Sequence, residues 1–145
     1  MSATPPRLPA EGQVCGLFGV DIVGFTSAQR DDDIRLYLHR ELYEILQAAF
    51  GGAGLPWQDS PTEDRGDGAL IVIPPALPPA RVIDPLPERL RSLIRRHNRV
   101  FSQPARIQLR AAFHMGPVHY DNHGYVGTDI DILFRLLDAA PLRAC

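Results

Sequence analysis

The stretch Glu63-Asp-Arg-Gly-Asp-Gly-Ala-Leu-Ile-Val-Ile-Pro74, "EDRGDGALIVIP", decides the fold. Its first half, Asp64-Arg-Gly-Asp67, is a polar tight turn with glycine where the chain must reverse. Its second half, Gly68 to Ile73, is a short apolar run rich in β-branched residues. A turn of this kind leading into such a run reads as a β-hairpin, with the partner strand drawn from residues 55–63. The question is then what lies on either side of a hairpin in the middle of the chain.

On the N-terminal side, residues 14–23, "VCGLFGVDIV", form an apolar run bounded by Gly12 and Gly24, which predicts a buried strand. Over 30–50, Ile34, Tyr37, Leu38, Leu42, Ile45, Leu46 and Ala49 recur at helical spacing, and Gly51-Gly52 supplies a stop. Thr26 with Gln29 has the spacing of a capping box for this helix. On the C-terminal side, prolines 74, 75, 78 and 79 end the hairpin strand in a loop. Asp84-Pro85 then opens a helix that runs to about 101 through Leu86, Leu90, Leu93 and Ile94. In Arg106–His114 apolar and polar residues alternate, which predicts a strand with one buried and one wet face. Pro117–Tyr120 and the turn Asp121–Gly124 predict a short hairpin excursion, and a last helix spans about 128–139, before Pro141. The order strand, helix, strand, strand, helix, strand is the split βαβ arrangement of the ferredoxin-like class. The expected fold is therefore α+β, a βαββαβ core with an extra hairpin and a C-terminal helix, its helices on one face of an antiparallel sheet.

A chain of 145 residues with 45% hydrophobic content suits one domain, expected over 14–145 behind a flexible leader at 1–13 that lacks the apolar core of a signal peptide. The net charge of −2 argues against a nucleic-acid partner, and the arginine stripe Arg91, Arg95, Arg99 reads as a solvated helix face. The most apolar run, 69–80, is broken by four prolines and is too short to span a bilayer, so a cytoplasmic protein with no membrane partner is expected. Cys15 and Cys145 make no disulfide framework, and His114, His119 and His123 match no common zinc motif. All 15 basic residues are arginine. Chemistry that needs an amine is excluded, and any phosphate must be met by arginine, metal or backbone.

Asp21 ends the apolar run "FGVDIVGFT", where a bare carboxylate is costly to bury unless a cation pairs with it. Asp67 sits in the hairpin turn, where aspartate is common for turn reasons alone. In a split βαβ fold the first strand neighbours that hairpin, so both carboxylates can converge at one edge. Two carboxylates there suit two Mg²⁺ or Mn²⁺ ions holding a triphosphate.

Four segments, "LFGVDIVGFT", "EDRGDGALIVIP", "LRAAFHMGPV" and "GYVGTDIDILFRLLDAAPL", in this order and spacing, resemble the class III nucleotidyl cyclase homology domain in its compact actinobacterial form. The resemblance covers residues 14 to 143. It implies that Asp21 and Asp67, with the backbone carbonyl of Ile22, hold the two metal ions. It places Phe25 and Thr26 at the nucleotide, and puts Glu63 at the base-selecting position, where glutamate accompanies guanine because a carboxylate accepts from N1–H and the amino group. The second base-contacting position falls on Gly124, which carries neither the aspartate nor the cysteine of the family. The helix motif aligns Gly127, Asp131 and Arg135. Arg135 matches the arginine that stabilises the phosphates, whereas Asp131 replaces the asparagine that orients the ribose. The family's phosphate-contacting lysine and the terminal strands that carry it are not found.

Within "GTDIDILFR" (127–135), Thr128 and Asp131 also have capping-box spacing, and Asp131 and Arg135 the spacing of an i, i+4 ion pair. Two functions follow from the resemblance. One is an enzyme that converts a nucleoside triphosphate, GTP in preference to ATP, to a cyclic nucleotide in a homodimer or in a heterodimer with another cyclase-like chain. The other is a degenerate domain that binds nucleotide or a partner without catalysis.

Overall fold

The computed structural model describes residues 12–101, 103–121, 124–139 and 143–144. Its sheet is built on β1 (Gln13–Ile22), which lies between β3 (Gly68–Ile73) and β4 (Leu109–Asp121) and is antiparallel to both. β2 (Thr62–Asp64) completes the hairpin with β3, and β5 (Gly124–Val126) folds back on β4, giving the order β2-β3-β1-β4-β5. This is the sheet of the split βαβ class, as the hairpin at 63–74 requires. The expected leader lies outside the described residues except for Gly12 and Gln13, and Gln13 already belongs to β1.

Helix α1 (Asp32–Gly52) is capped by Asp31, whose carboxylate accepts from the Ile34 amide at 2.9 Å. The Thr26/Gln29 capping box is therefore not used, because residues 23–26 are spent turning the chain out of β1. A short α2 (Ala80–Ile83) precedes α3 (Leu86–Val100). Leu38, Leu42, Leu46 and Phe50 of α1 and Leu86, Leu90 and Ile94 of α3 pack with Phe18, Val20 and Ile22 on one face of the sheet. Arg91, Arg95 and Arg99 lie on the outer, exposed side of α3, as expected.

Two features depart from the sequence expectation. First, α4 (Thr128–Ala139) packs on the opposite face, where Leu133 and Ile130 join Cys15, Leu17, Leu70 and Val72 in a second core. Gly19 makes this possible: a Cβ there would lie 3.1 Å from Leu133. β1 is thus covered on both sides, which is why it reads as a continuous apolar run. Second, the strand expected to end near His114 continues through Gly116-Pro117 to Asp121, and β6 (Arg143–Ala144) pairs with its other end, opposite Leu109 and Arg110. A strand segment is therefore present where none was expected.

Candidate functional site

In β1, Asp21 faces Gly68 of β3 on one side and Arg110 of β4 on the other. A Cβ at position 68 would lie 1.9 Å from the Val20 carbonyl oxygen, so only glycine lets the hairpin close here. The Ile22 amide donates to the Asp67 carbonyl at 2.8 Å, which fixes the turn against the end of β1. Asp21 and Asp67 consequently converge, as the sequence implied.

Asp21 is only 7% exposed. Its cation is Arg110, which donates from Nε to Oδ1 at 2.9 Å and from Nη2 to Oδ2 at 2.5 Å, a bidentate grip. That pairing holds the Arg110 guanidinium above its usual pKa. The same Nη2 lies 3.8 Å from the carboxylate of Asp138 on α4. Asp67 has no such partner among the described residues. Burial, and then the negative charge of Asp21, push its carboxyl above the usual range, and its own amide, Arg110 and Arg65 do not offset them. The side chain of Ile22 is buried in the core, which leaves only its backbone for the ligand role the resemblance implies.

Glu63 and Gly124 also meet. Glu63 accepts from the Tyr125 amide on Oε2 at 2.9 Å and from Arg65 Nη1 on Oε1 at 2.9 Å. A Cβ at Gly124, whose φ is +138°, would stand 2.4 Å from Oε2. Arg65 lies over the Phe134 ring at 4.0 Å from its centroid. Between this hairpin and α4 runs a cleft of about 500 Å³ whose walls include Arg65, Tyr125, Asp131, Phe134, Arg135 and Asp138. The buried Tyr125 hydroxyl has no hydrogen-bond partner among the described residues, and burial pushes its pKa up to about 12.

Asp131 and Arg135 are thus exposed on the cleft wall, and no ion pair joins them among the described residues. The amide of Asp131 donates to the Gly127 carbonyl at 3.3 Å instead of to the Thr128 hydroxyl, as a capping box would require. Neither local explanation for the polar residues of "GTDIDILFR" is realised. Phe25 packs against the α1/α3 core, and Arg35 ties the loop by donating to the carbonyls of Phe25 (3.2 Å) and Thr26 (3.3 Å). Thr26 is exposed. His114 binds Asp129 at 2.7 Å. His123 lies outside the described residues, and no group of three metal-ligating side chains occurs among the described residues.

Sequence reasoning missed Arg110, Arg65 and Asp138. The alternation in "RIQLRAAFH" assigned Arg110 to a wet face, whereas that face is the one α4 covers. Strand order alone puts β4 beside β1; only the register of the folded sheet sets Arg110 opposite Asp21.

No family model and no curated protein matches the chain in sequence. Its structure does match solved ones, and the fold is that of the class III nucleotidyl cyclase catalytic domain. An adenylate/guanylate cyclase/hydrolase from Silicibacter pomeroyi superposes with a TM-score of 0.68 at 18% identity, over 93% of this chain and 74% of that one. The monomeric guanylyl cyclase domain of the RhoGC fusion protein from the aquatic fungus Blastocladiella emersonii gives 0.66 at 19%, over 97% and 81%. The guanylate cyclase domain of RhGC from Catenaria anguillulae, solved in complex with GTP, gives 0.65 at 19%, over 92% and 76%. No described helix is long and apolar enough to cross a membrane.

Proposed function

We propose that this domain binds a nucleoside triphosphate, GTP in preference to ATP, and converts it to a 3′,5′-cyclic nucleotide and pyrophosphate in a dimer. The observation that carries this reading is the convergence of Asp21 and Asp67 at the end of β1, on a cyclase fold whose α4 presents Arg135 to a cleft. The donor set suits Mg²⁺ or Mn²⁺: hard carboxylate oxygens and two negative charges that Arg110 and Arg65 do not fully balance. Asp21, Asp67 and the Ile22 carbonyl would hold the ions, which when bound supply Lewis-acid activation of the ribose hydroxyl and neutralise the leaving pyrophosphate. Arg135 meets phosphate oxygens through a planar fork, and the remaining lone pairs of Glu63 accept from the guanine edge. Asp131 stands at the ribose. The opposing subunit, a second copy or another cyclase-like chain, supplies its own α4 to this metal face. Location in the cytoplasm fits such a signalling role.

A second reading is favoured by specific contacts. Both Asp21 oxygens are held by Arg110, and Asp131 adds negative charge to the cleft where a triphosphate would lie. In that reading the domain binds nucleotide or a partner chain and signals without turnover. Incubation of the purified protein with GTP, ATP, CTP and UTP plus Mn²⁺, followed by product separation, decides between them. Cyclic GMP is the expected product; GTP binding with no cyclic product from any nucleotide, alone or with a cognate partner, establishes the second reading instead.

A further inference from the structure

Asp21 is buried, so its charge must be balanced whether or not a metal is present. The fold balances it internally, through a guanidinium that occupies both carboxylate oxygens. A divalent cation on the same carboxylate would face that guanidinium at close range, and the two like charges repel. That repulsion favours release of Arg110 when Asp21 takes a metal. The structure also contains its destination. Asp138, on the last turn of α4, holds its carboxylate 3.8 Å from Arg110 Nη2, and its side chain is exposed. Asp138 lines the cleft that holds Arg135.

We propose that Arg110 is a displaceable counter-ion: it neutralises Asp21 in the metal-free fold and passes to Asp138 when a divalent cation takes Asp21. The proposal rests on the reading of Asp21 and Asp67 as metal ligands. It has a consequence for the cleft. A guanidinium drawn to Asp138 joins Arg135 on the cleft wall, so loading this subunit's metal raises the positive charge on the α4 face it offers to the opposing subunit's triphosphate, in a chain that has no lysine to provide it. Metal in one site and triphosphate in the other then favour each other's binding by linkage.

The test is Mn²⁺ affinity, read from the loss of the free-ion electron paramagnetic resonance signal, for the wild type, Arg110→Gln, Asp138→Asn, the double variant and Asp21→Asn. Removing the resident counter-ion should tighten Mn²⁺ binding about tenfold, the scale of one charge-assisted contact. Asp21→Asn should abolish it. Asp138→Asn should weaken binding about threefold in the wild-type background and leave it unchanged in Arg110→Gln, because the two residues act as one unit. Equal, Asp21-dependent affinity in the wild type and Arg110→Gln overturns the counter-ion role and leaves the ligand reading intact. An equal effect of Asp138→Asn in both backgrounds reduces Asp138 to a nearby charge and overturns the transfer. Binding that survives Asp21→Asn, or none in either protein, overturns the ligand reading and the proposal with it. Should Arg110→Gln fail to fold, the wild type still answers. The Arg110 Nε–H resonance, assigned by its loss in Arg110→Lys, must shift as diamagnetic Mg²⁺ is added, and a resonance unmoved at saturation overturns the proposal.

Discussion

Asp64 and Asp67 stand three residues apart in one turn and have opposite fates. Asp64 accepts from the Tyr43 hydroxyl at 2.7 Å, meets His39 Nε2 at 2.8 Å and accepts from the Gly66 amide at 3.3 Å. Burial works against its charge, but these bonds prevail and hold its carboxyl below the usual range. Asp67 receives little of this and is pushed up. The turn-forming duty that the sequence offered to Asp67 is discharged by Asp64, which ties the hairpin to α1. Asp67 is left short of positive charge beside a second carboxylate. A group with a structural task is satisfied by its surroundings, whereas one kept unsatisfied beside a like charge is a candidate to be completed by a ligand from outside.

The largest test of this contrast is Asp21→Ala. It removes the two charge-assisted bonds of Arg110, which itself stays partly exposed with Asp138 nearby, and should cost about 2 kcal/mol in urea unfolding. It should also let the Asp67 carboxyl fall back toward the ordinary range, visible in its NMR titration. An Asp67 that titrates unchanged would show that burial alone sets it. Next in size is Tyr43→Phe, which removes one bond to a charged acceptor and should lower stability by about 1 kcal/mol. No loss would mean that the exposed Asp64 cluster is solvent-compensated.

Smallest is Asp67→Asn, which removes a disfavoured charge and should leave stability unchanged or slightly higher near neutral pH. The sign follows from the direction of the shift. A carboxyl raised in the folded state binds more protons there than when unfolded, so its unfavourable contribution is present above the folded pKa and disappears as pH falls through it. The stability gap between Asp67→Asn and the wild type should therefore close on acidification. Asp64 behaves oppositely: its contribution is present above the ordinary carboxylate pKa and is lost as pH falls through its depressed one. A gap that widens on acidification would contradict the assignment of Asp67.

Local pattern was enough for the elements that bury themselves. The runs 14–23 and 68–73 became β1 and β3 within a residue, and 128–139 became α4. It misled where tertiary contacts decide. The alternation in β4 could not reveal that α4 covers its polar face, and Pro117 did not interrupt the strand, which still pairs there with Val14. Thr26 offered a cap that Asp31 provides instead. Of the candidate site, the convergence of Asp21 with Asp67 and the place of Asp131 and Arg135 on α4 were legible from motif order. Arg110, Arg65 and Asp138 were not, since each acquires meaning only from what the fold sets opposite it.

The contact between Glu63 and Gly124 carries a consequence for how sequences of this kind can vary. With Glu63 bonded to the Tyr125 amide, a Cβ at position 124 has no room. Any side chain at 124 forces Glu63 to release the amide and, besides, strains a backbone held at φ +138°. In a library randomised at both sites and selected for folding, position 63 should vary while glycine dominates at 124, because moving Glu63 aside relieves the clash and leaves the backbone strain.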